Sequence, residues 1–189
     1  MIRAKYTDRA KVVEILTASF NDNQSVNYII KQDNKRHERI KGLMEYSFDV
    51  CNLFGDIFLS DDKKGCALLI YPDKKRTTPK SIMLDAKFAL TCIGISHINK
   101  AMKREAKIKD VHPSGVLYYL WFIGVESGNQ NKGIGSRLLN EIILEGEKQK
   151  RTICLETSTL KNLPWYKKFG FSIYHEFDFG YKLFCLKRE

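Results

Sequence analysis

One segment constrains the fold of this chain more than any other: an apolar run followed by a glycine-containing loop and an amphipathic helix. The run, Val116–Val125, is apolar at almost every position, which is typical of a central strand covered on both faces. The helix starts at Gly133 and reaches about Gln149. Its core residues recur at helical spacing, and they are Leu138, Leu139, Ile142 and Ile143. A strand, a loop and a helix in this order indicate an α/β domain.

Hydrophobic periodicity divides the rest of the chain into further strands and helices. The other predicted strands are Ile2–Lys5, Asp56–Ser60, Cys66–Tyr71, Arg151–Ser158, Phe171–Phe177 and Tyr181–Lys187. The other predicted helices are one that begins at Thr7 or Asp8 and ends near Asn21, then Lys35–Leu53, Lys80–Lys107 with a break near Gly94, and Asn162–Phe169. We therefore predict a single α/β domain over residues 1–189, with a mixed sheet of about seven strands flanked by helices.

The chain is basic, because 32 Lys and Arg outnumber 22 Asp and Glu and give a formal net charge of +10. A basic surface raises the local concentration of anionic partners, such as nucleic acid or a phosphate-rich cofactor. The basic residues are scattered, however, and an ordinary solvated surface explains them without any partner. The sequence has no zinc pattern, RNP-type aromatic pattern or basic-region helix, so no nucleic-acid partner is expected.

Cysteine and histidine spacing argues against disulfides and metal sites. The cysteines lie far apart in mostly apolar surroundings, which predicts buried thiols in a reducing cytoplasm; they are Cys51, Cys66, Cys92, Cys154 and Cys185. The four histidines show no ligand spacing, so we predict no metal site. The N-terminus lacks a signal-like stretch, and Asp85 and Lys87 interrupt the apolar segment Ile82–Ile95. We expect a soluble, cytoplasmic protein without a membrane segment.

The loop before the strongest helix, Gln130–Ser136, has the features of an anion site. The first backbone N–H groups of a helix have no partner within it, and the helix dipole adds positive potential there. Gly133 and Gly135 lack a Cβ, so the backbone can approach a phosphate closely. Lys132 can add charge and Ser136 a hydroxyl. The loop matches neither the dinucleotide fingerprint nor the P-loop, and two glycines alone also fit an ordinary helix start.

The same loop resembles a signature of the GNAT superfamily of acyltransferases. After Val125 and four further residues, the chain reads Gln130-Asn131-Lys132-Gly133-Ile134-Gly135, which is similar to the family's Q/R-x-x-G-x-G/A motif. The resemblance implies that the segment from Gln130 to Ser136 wraps the phosphates of acetyl-CoA. It also implies that Ile123 and Val125 offer main-chain groups to the pantetheine arm, and that the sheet is splayed.

A second segment further along the chain carries the same resemblance. In the family, a strand is followed by an asparagine, a short helix with a tyrosine, and a Gly-Phe pair, which here are Asn162, Tyr166 and Gly170-Phe171. The Leu-Glu-Thr-Ser start and the Asn-Leu-Pro run are most similar to puromycin N-acetyltransferase and its relatives. The resemblance implies a cofactor-binding core over about residues 116–177 and a substrate side built from about residues 8–110.

Acetyl transfer needs a base for the amine, stabilisation of the thioester oxygen and an acid for the departing thiolate. The resemblance makes Tyr166 the candidate acid, because a phenol and a thiol have pKa values close enough for proton transfer. Taken alone, Tyr166 is also explained as a core aromatic beside Trp165, Phe169 and Phe171. Asn162 is expected either to bind the pantetheine arm or to cap the short helix.

Glu156 is the candidate base. Alternation along the predicted strand places it on one face with Thr152, Cys154 and Ser158. A carboxylate in the middle of a strand is unusual unless it has a partner or a function. We expect Glu156 to take the amine proton directly or through water, although a structural or substrate-positioning role explains it equally well. Glu126, in the loop after the central strand, is a weaker alternative.

The resulting prediction is an N-acetyltransferase that moves the acetyl group of acetyl-CoA to a primary amine of a small molecule or peptide. The amine attacks directly, without a covalent enzyme intermediate. The acidic residues Asp22, Asp33 and Glu45 are candidates to attract a cationic amine, or form a solvated face. Two other functions stay open, a nucleic-acid-binding module and a non-catalytic acyl-CoA-binding sensor. A homodimer is compatible with the sequence, which determines neither the oligomeric state nor the acceptor.

Overall fold

Seven strands form one mixed sheet in the computed structural model, which describes the backbone throughout and the side chains of residues 1–95 and 97–189. The strands are β1 (Ile2–Arg3), β2 (Gly55–Leu59), β3 (Gly65–Ile70), β4 (Leu117–Val125), β5 (Thr152–Thr157), β6 (Ser172–Asp178) and β7 (Lys182–Arg188). Their order across the sheet is β1-β2-β3-β4-β5-β7-β6. Every neighbouring pair is antiparallel except β4 and β5, so the predicted mixed sheet is confirmed.

Helices cover both faces of this sheet. They are α1 (Arg9–Ser19), α2 (Gln24–Ile29), α3 (Arg36–Phe54), α4 (Pro79–Phe88), α5 (Ile98–Asp110), α6 (Ile134–Lys148) and α7 (Leu163–Lys168). Periodicity does not predict α2, because its six residues are too few to establish a helical period. The start of α1 is predicted correctly, but the Asp8 carboxylate accepts the Lys5 N–H at 2.9 Å instead of capping the helix.

The sheet separates two apolar clusters. On one face, α1 and α3 pack onto the strands with residues such as Leu16, Phe48 and Leu68 in the cluster. On the other face, α6 packs with Leu138 against residues that include Leu69. Leu68 and Leu69 fall in different clusters because successive strand residues point to opposite faces. All five cysteines are buried free thiols, as the sequence predicts.

The centre of the sheet opens where β4 and β5 run parallel. The two strands are in register at three positions, of which the last is Tyr119 opposite Cys154. Beyond that position β4 continues to Val125 and stays paired with β3 on its other edge. The edge of β4 that faces β5 is therefore open over its second half, which agrees with a splayed sheet.

A bulge in β4 changes which face its side chains take. Two consecutive residues of β3 oppose Leu120 and Phe122, so Trp121 is an extra residue on β4. Trp121 and Phe122 consequently both pack on the cluster of α1 and α3. Tyr119, Trp121 and Ile123 are only partly buried, so the expectation that β4 is covered on both faces is wrong for these positions. Their exposed sides border a cavity.

The helical segment after β3 is broken near Gly94, as predicted. A π-type turn, Ala89–Ile93, follows α4, and Gly94 then takes a φ of +78°, which glycine adopts without strain. Within the described ranges, no single helix is long and apolar enough to cross a membrane. The stretch Pro79–Ile93 and α5 reach that length and composition only together, as a pair bent by 118°.

Candidate active site

A cavity of about 1690 Å³ opens at the gap between β4 and β5. It extends from the first turn of α6, past the diverging strands, to a wall built from α3, α4 and α5. Ligands of open α/β sheets bind outside the carboxyl ends of the strands, where neighbouring strands part. This cavity is therefore the candidate active site.

The first turn of α6 borders one end of the cavity. Gly133 precedes this helix with a φ of +77°, in the left-handed region, and Asn131 has a φ of +61°. The Arg137 N–H donates to the Gly133 oxygen at 2.9 Å, which starts the hydrogen-bond ladder of the helix. The N–H groups before Arg137 have no acceptor within the helix, so they are available to an anion in the cavity.

Most residues of the predicted phosphate loop line the cavity, and they are Gln130, Asn131, Gly133, Ile134, Gly135 and Ser136. Lys132 is not among the lining residues, and its ammonium group donates to Asn129 Oδ1 at 3.1 Å. A Cβ at Gly133 would meet no heavy atom within 4 Å, so crowding by the protein does not explain this glycine. Its left-handed backbone does, and the space beside it suits a phosphate.

The short helix α7 is attached to this loop by a hydrogen bond. Trp165 Nε1 donates to Ser136 Oγ at 2.9 Å. Ser136 keeps its own O–H as a donor, because a hydroxyl can accept and donate at the same time. The contact fixes the distance between the two elements that border the cavity at this end.

The open edge of β4 contributes Ile123 and Val125, which both line the cavity. The Ser19 hydroxyl donates to the Val125 oxygen at 3.1 Å. That oxygen keeps its second lone pair for a further donor. A Cβ at Gly124 would lie 3.0 Å from Ser19 and from Leu16, so the missing side chain lets α1 pack closely on this strand.

Tyr166 of α7 is 5% exposed and lines the cavity. Its ring centroid lies 4.7 Å from that of Trp165 and 5.8 Å from that of Phe171. The core packing and the cavity position are therefore compatible. Burial raises the pKa of the Tyr166 phenol above its ordinary value, so the group keeps its proton at neutral pH. Asn162 occupies the N-cap position of α7 and lines the cavity, but its side chain makes no capping bond within the described structure.

Glu156 lies on β5, beyond the last residue that pairs with β4, and its side chain is 7% exposed. The Tyr119 hydroxyl donates to Glu156 Oε2. The other oxygen, Oε1, lies 3.7 Å from His112 Nε2. Both of these atoms are buried and have no hydrogen-bond partner among the described residues. A buried polar atom without a partner is costly, so these two atoms in the cavity wall are suited to bind a water molecule or a polar ligand group.

Two groups that line this part of the cavity could not be found from the sequence. His112 follows α5 and reaches Glu156 only because the chain turns back toward β4, and no local pattern indicates this contact. Arg104 of α5 is 6% exposed and donates to the Tyr181 hydroxyl at 2.9 Å and to Ser25 Oγ at 2.6 Å. The sequence did offer one indication for Tyr119, since alternation along β4 places its side chain on the partly exposed face of the strand.

Aromatic side chains form the far wall of the cavity. The rings of Tyr46 and Phe88 are stacked with centroids 4.3 Å apart, and Trp121 meets Tyr46 edge-on at 6.1 Å. The Tyr46 hydroxyl donates to Asp85 Oδ1 at 2.6 Å. All four residues line the cavity, so this end offers apolar surface next to a carboxylate. We name this part of the cavity the aromatic wall.

The other acidic candidates lie in different surroundings. Asp22 lines the cavity with an almost fully exposed side chain, whereas Asp33 pairs with Arg39 at 2.6 Å. Glu45 approaches Arg9 at 3.7 Å and is not a lining residue. Glu126 accepts hydrogen bonds from Lys11 and Asn129, and the Lys11 contact lowers the pKa of its carboxyl. Glu156 is thus the acidic side chain of the sequence-based proposals that is both buried and next to the cavity.

Residues 92–173 match the family model of the acetyltransferase (GNAT) domain. The match is shorter than half of the chain, but it contains α5, β4, α6, β5 and α7. It therefore includes the whole phosphate loop together with Glu156 and Tyr166.

A probable serine/threonine-protein kinase of Dictyostelium discoideum is 33% identical to this chain over 81 residues. The aligned part is 43% of this chain and 8% of that protein, so the chain spans only a small part of its length. A match over so small a part of that protein does not indicate that the two proteins share an activity.

Solved structures with similar folds cover nearly the whole chain. A histone acetyltransferase HPA2 and related acetyltransferase of Corynebacterium glutamicum has a TM-score of 0.69 and 20% identity, covering 98% of this chain and 93% of that one. The C-terminal condensation domain of Ebony in complex with beta-alanyl-dopamine has a TM-score of 0.72 and 13% identity, and the match covers 100% of this chain and 97% of that one. A chain of the NatC complex bound to Gag peptide and CoA has a TM-score of 0.53 and 14% identity, and the match covers 97% of this chain and 91% of that one. The chain therefore has the fold of the GNAT acetyltransferases, and its central segment matches their domain.

Proposed function

We propose that this protein is an N-acetyltransferase that transfers the acetyl group of acetyl-CoA to a primary amine. The observation that carries the proposal is the cavity at the gap between β4 and β5. It joins a helix N-terminus preceded by a left-handed glycine, at one end, to a buried carboxylate and a buried phenol. A phosphate-rich thioester and an amine need these two kinds of site side by side.

The cofactor end supplies backbone donors. The N–H groups of the segment from Gln130 to Ser136 would bind the pyrophosphate, and the hydroxyl of Ser136 adds one donor. The open edge of β4 at Ile123 and Val125 would pair with the amides of the pantetheine arm, as a further strand would. Asn162, whose amide is not used for capping, would bind the same arm from the α7 side. Lys132 contributes its charge from outside the cavity.

The chemistry requires a proton to leave the amine and another to reach the sulfur. Glu156 provides the negative charge that draws the proton from the amine, and Tyr166 donates its phenolic proton to the departing thiolate. A phenol is already protonated at neutral pH, so the raised pKa of Tyr166 leaves the proton in place but makes the group a weaker acid than a free phenol. Burial raises the pKa of the thiol of all five cysteines, which disfavours a thiolate nucleophile. We therefore propose direct attack by the amine.

The acceptor would bind against the aromatic wall. Stacked rings next to a carboxylate favour an amine that carries an aromatic or apolar group. The resemblance of the Leu155–Phe171 segment to puromycin N-acetyltransferases also favours a small-molecule amine that carries an aromatic group. The Ebony domain, which has a similar fold, is described with beta-alanyl-dopamine, and this makes aromatic amines a reasonable first set of acceptors.

The first experiment measures acetyl-CoA binding by isothermal titration calorimetry and then thiol release with a panel of amines. The panel contains puromycin, arylalkylamines, polyamines and a peptide with a free N-terminus. We expect one-to-one binding and release of CoA with at least one aromatic amine. A folded wild-type protein that does not bind acetyl-CoA contradicts the proposal. DNA binding with a steep salt dependence would then favour the nucleic-acid-binding module.

Two variants separate an enzyme from a non-catalytic sensor. We expect Glu156→Gln and Tyr166→Phe each to lower kcat by about 100-fold or more, since general acid–base catalysis contributes about 10²–10⁴-fold. Both variants should bind acetyl-CoA with the wild-type Kd. Wild-type binding without turnover of any amine indicates a sensor, and full activity in both variants contradicts the assigned roles. We also propose a cytoplasmic location, which the free thiols support. Sedimentation tests whether the protein is a monomer or a homodimer.

A further inference from the structure

We propose that His112 is the general base of the reaction and that Glu156 holds and polarises it. This inference rests on the proposed acetyltransferase function and assigns the proton acceptor within its site. Glu156 becomes a positioning residue, and His112 the residue that touches the amine.

The contact between the two side chains carries this inference. Glu156 Oε1 and His112 Nε2 face each other at 3.7 Å, and both are buried without a hydrogen-bond partner in the described residues. A closure of less than about 1 Å brings them into the range of an N–H···O bond. Catalytic hydrogen bonds are often long in ligand-free structures and tighten when substrate binds. An Nε2–H donor facing a carboxylate satisfies both atoms at once.

The remaining oxygen of Glu156 is already fixed. The Tyr119 hydroxyl donates to Oε2, and the His112 ring packs on the Tyr119 ring with centroids 5.5 Å apart. Tyr119 is the last residue of β4 that pairs with β5, so it is held by the sheet on both edges. Tyr119 therefore fixes both members of the pair at the point where the strands part.

The free part of the imidazole faces the cavity. His112 lines the cavity and its side chain is 19% exposed, although Nε2 itself is buried. The exposed surface of the ring therefore belongs to other atoms, and Nδ1 is not among the buried polar atoms without a partner. With the proton on Nε2, Nδ1 has a lone pair and can accept a proton from an amine in the cavity.

The surroundings contain few other groups that titrate near neutral pH. The groups that interact electrostatically with Glu156 lie on five elements, and they are Glu105, Tyr119, Cys154, Tyr174 and Cys185. Burial raises the pKa of the two thiols and the two phenols, so these stay neutral. Arg104 remains cationic and pairs with Glu105. Glu105, Glu156 and His112 are the remaining ionisable groups of this cluster.

The amine nitrogen attacks the acetyl carbonyl carbon, a C–N bond forms, and the C–S bond breaks. His112 Nδ1 takes one proton from that nitrogen while Tyr166 gives one proton to sulfur. The products are the acetamide and CoA thiol. His112 then returns its proton through solvent to the Tyr166 phenolate, and an acceptor that arrives as ammonium first releases its additional proton to solvent.

His112→Asn tests the base directly. We expect kcat to fall by about 100-fold or more, while the Kd of acetyl-CoA stays within twofold. The matched control is His175→Asn on β6, where the ring packs on Phe177 at 4.4 Å away from the cavity lining. Imidazole added to His112→Ala should restore part of the lost kcat. Wild-type kcat in His112→Asn overturns the inference.

The pH profile of kcat distinguishes His112 from Glu156 as the base. If His112 is the base, the acidic limb of the wild-type profile remains in Glu156→Gln at lower kcat and is lost in His112→Asn. If Glu156 is the base, the limb is lost in Glu156→Gln and remains in His112→Asn. The second result overturns the inference.

Nitrogen NMR of imidazole-labelled protein gives a readout that needs no turnover. We expect the Nε2–H tautomer for His112 in the wild type, and a mixture of tautomers in Glu156→Gln. A wild-type Nδ1–H tautomer overturns the inference even if the enzyme is active. A wild type that binds acetyl-CoA but acetylates no amine instead refutes the proposed function, whichever tautomer is found.

Discussion

The two ends of the cavity are built in different ways. The cofactor end is made mainly of backbone groups from one continuous stretch, in which β4, a short loop and α6 follow each other directly, with Asn162 at the N-cap of α7 beside them. The acceptor end is made of side chains from α3, α4, α5, the turn before β4 and Trp121 of β4, which are far apart in sequence. A site of backbone donors tolerates many side chains, whereas a site of side chains changes with each substitution. An acetyltransferase built in this way could keep acetyl-CoA as its acyl donor while substitutions change its acceptor.

This comparison predicts that variants at one end leave the other end unchanged. The largest expected effect is that of Gly133→Glu. A carboxylate at the start of α6 repels phosphate and strains a left-handed position. We expect the Kd of acetyl-CoA to rise by about 100-fold or more, which corresponds to about 2.7 kcal/mol. Calorimetry measures it.

The matched control for this variant is Gly128→Glu. Gly128 has a φ of +79° and open space around it, like Gly133, but it lies outside the cavity lining. The two variants share the charge change and the backbone strain, so they should lose similar stability. Equal loss of acetyl-CoA affinity in both would contradict the assignment of the phosphate site.

The next largest effect is on stability at the acceptor end. Arg104 is buried and holds Tyr181, Ser25 and Glu105, so Arg104→Gln leaves several partners unsatisfied. We expect the free energy of unfolding to fall by about 2–3 kcal/mol, with an unchanged Kd for acetyl-CoA in the folded protein. Urea denaturation measures the loss. Lys182→Gln, which removes an exposed pair with Asp178, should cause no measurable change.

Phe88→Ala should affect the acceptor alone. Removing the ring that stacks on Tyr46 takes apolar surface from the aromatic wall. We expect the KM of an aromatic amine to rise by about tenfold, in line with the 0.5–1.5 kcal/mol of an aromatic pair, while the Kd of acetyl-CoA is unchanged. Leu90→Ala, an exposed position in the turn after α4, is the control. Equal KM values for Phe88→Ala and wild type would show that the acceptor binds elsewhere.

The smallest effect tests the contact between α7 and the loop. Trp165→Phe removes the donor to Ser136 Oγ, and we expect the Kd of acetyl-CoA to rise by about threefold. Ser136→Ala should have a similar effect, and the double variant should be no worse than the stronger single one. Additive effects in this cycle would mean that the two residues act independently.

The same comparison explains how much could be predicted from the sequence. The phosphate loop was recognisable because Gly133 and the start of α6 are neighbours along the chain, and their backbone conformation follows from local rules. Tyr166 and Glu156 were proposed because they lie in the second segment that resembles the family, which is also continuous along the chain. His112 was missed because its contact with Glu156 depends on the path of α5 across the sheet. The expectation that β4 is covered on both faces was wrong at Trp121. A bulge, which alternation does not predict, changes the face that this side chain takes.

The short contact between β4 and β5 has a consequence for the lifetime of the protein in a cell. Only three register positions join these strands, so an acyl-CoA bound in the gap would replace the missing pairs and belong to the folded sheet. Such a ligand adds RT ln(1 + [L]/Kd) to the free energy of unfolding, about 2.7 kcal/mol at a concentration of 100 Kd. The abundance of the protein would then follow the acetyl-CoA supply, because copies without ligand would be less stable and unfold more often.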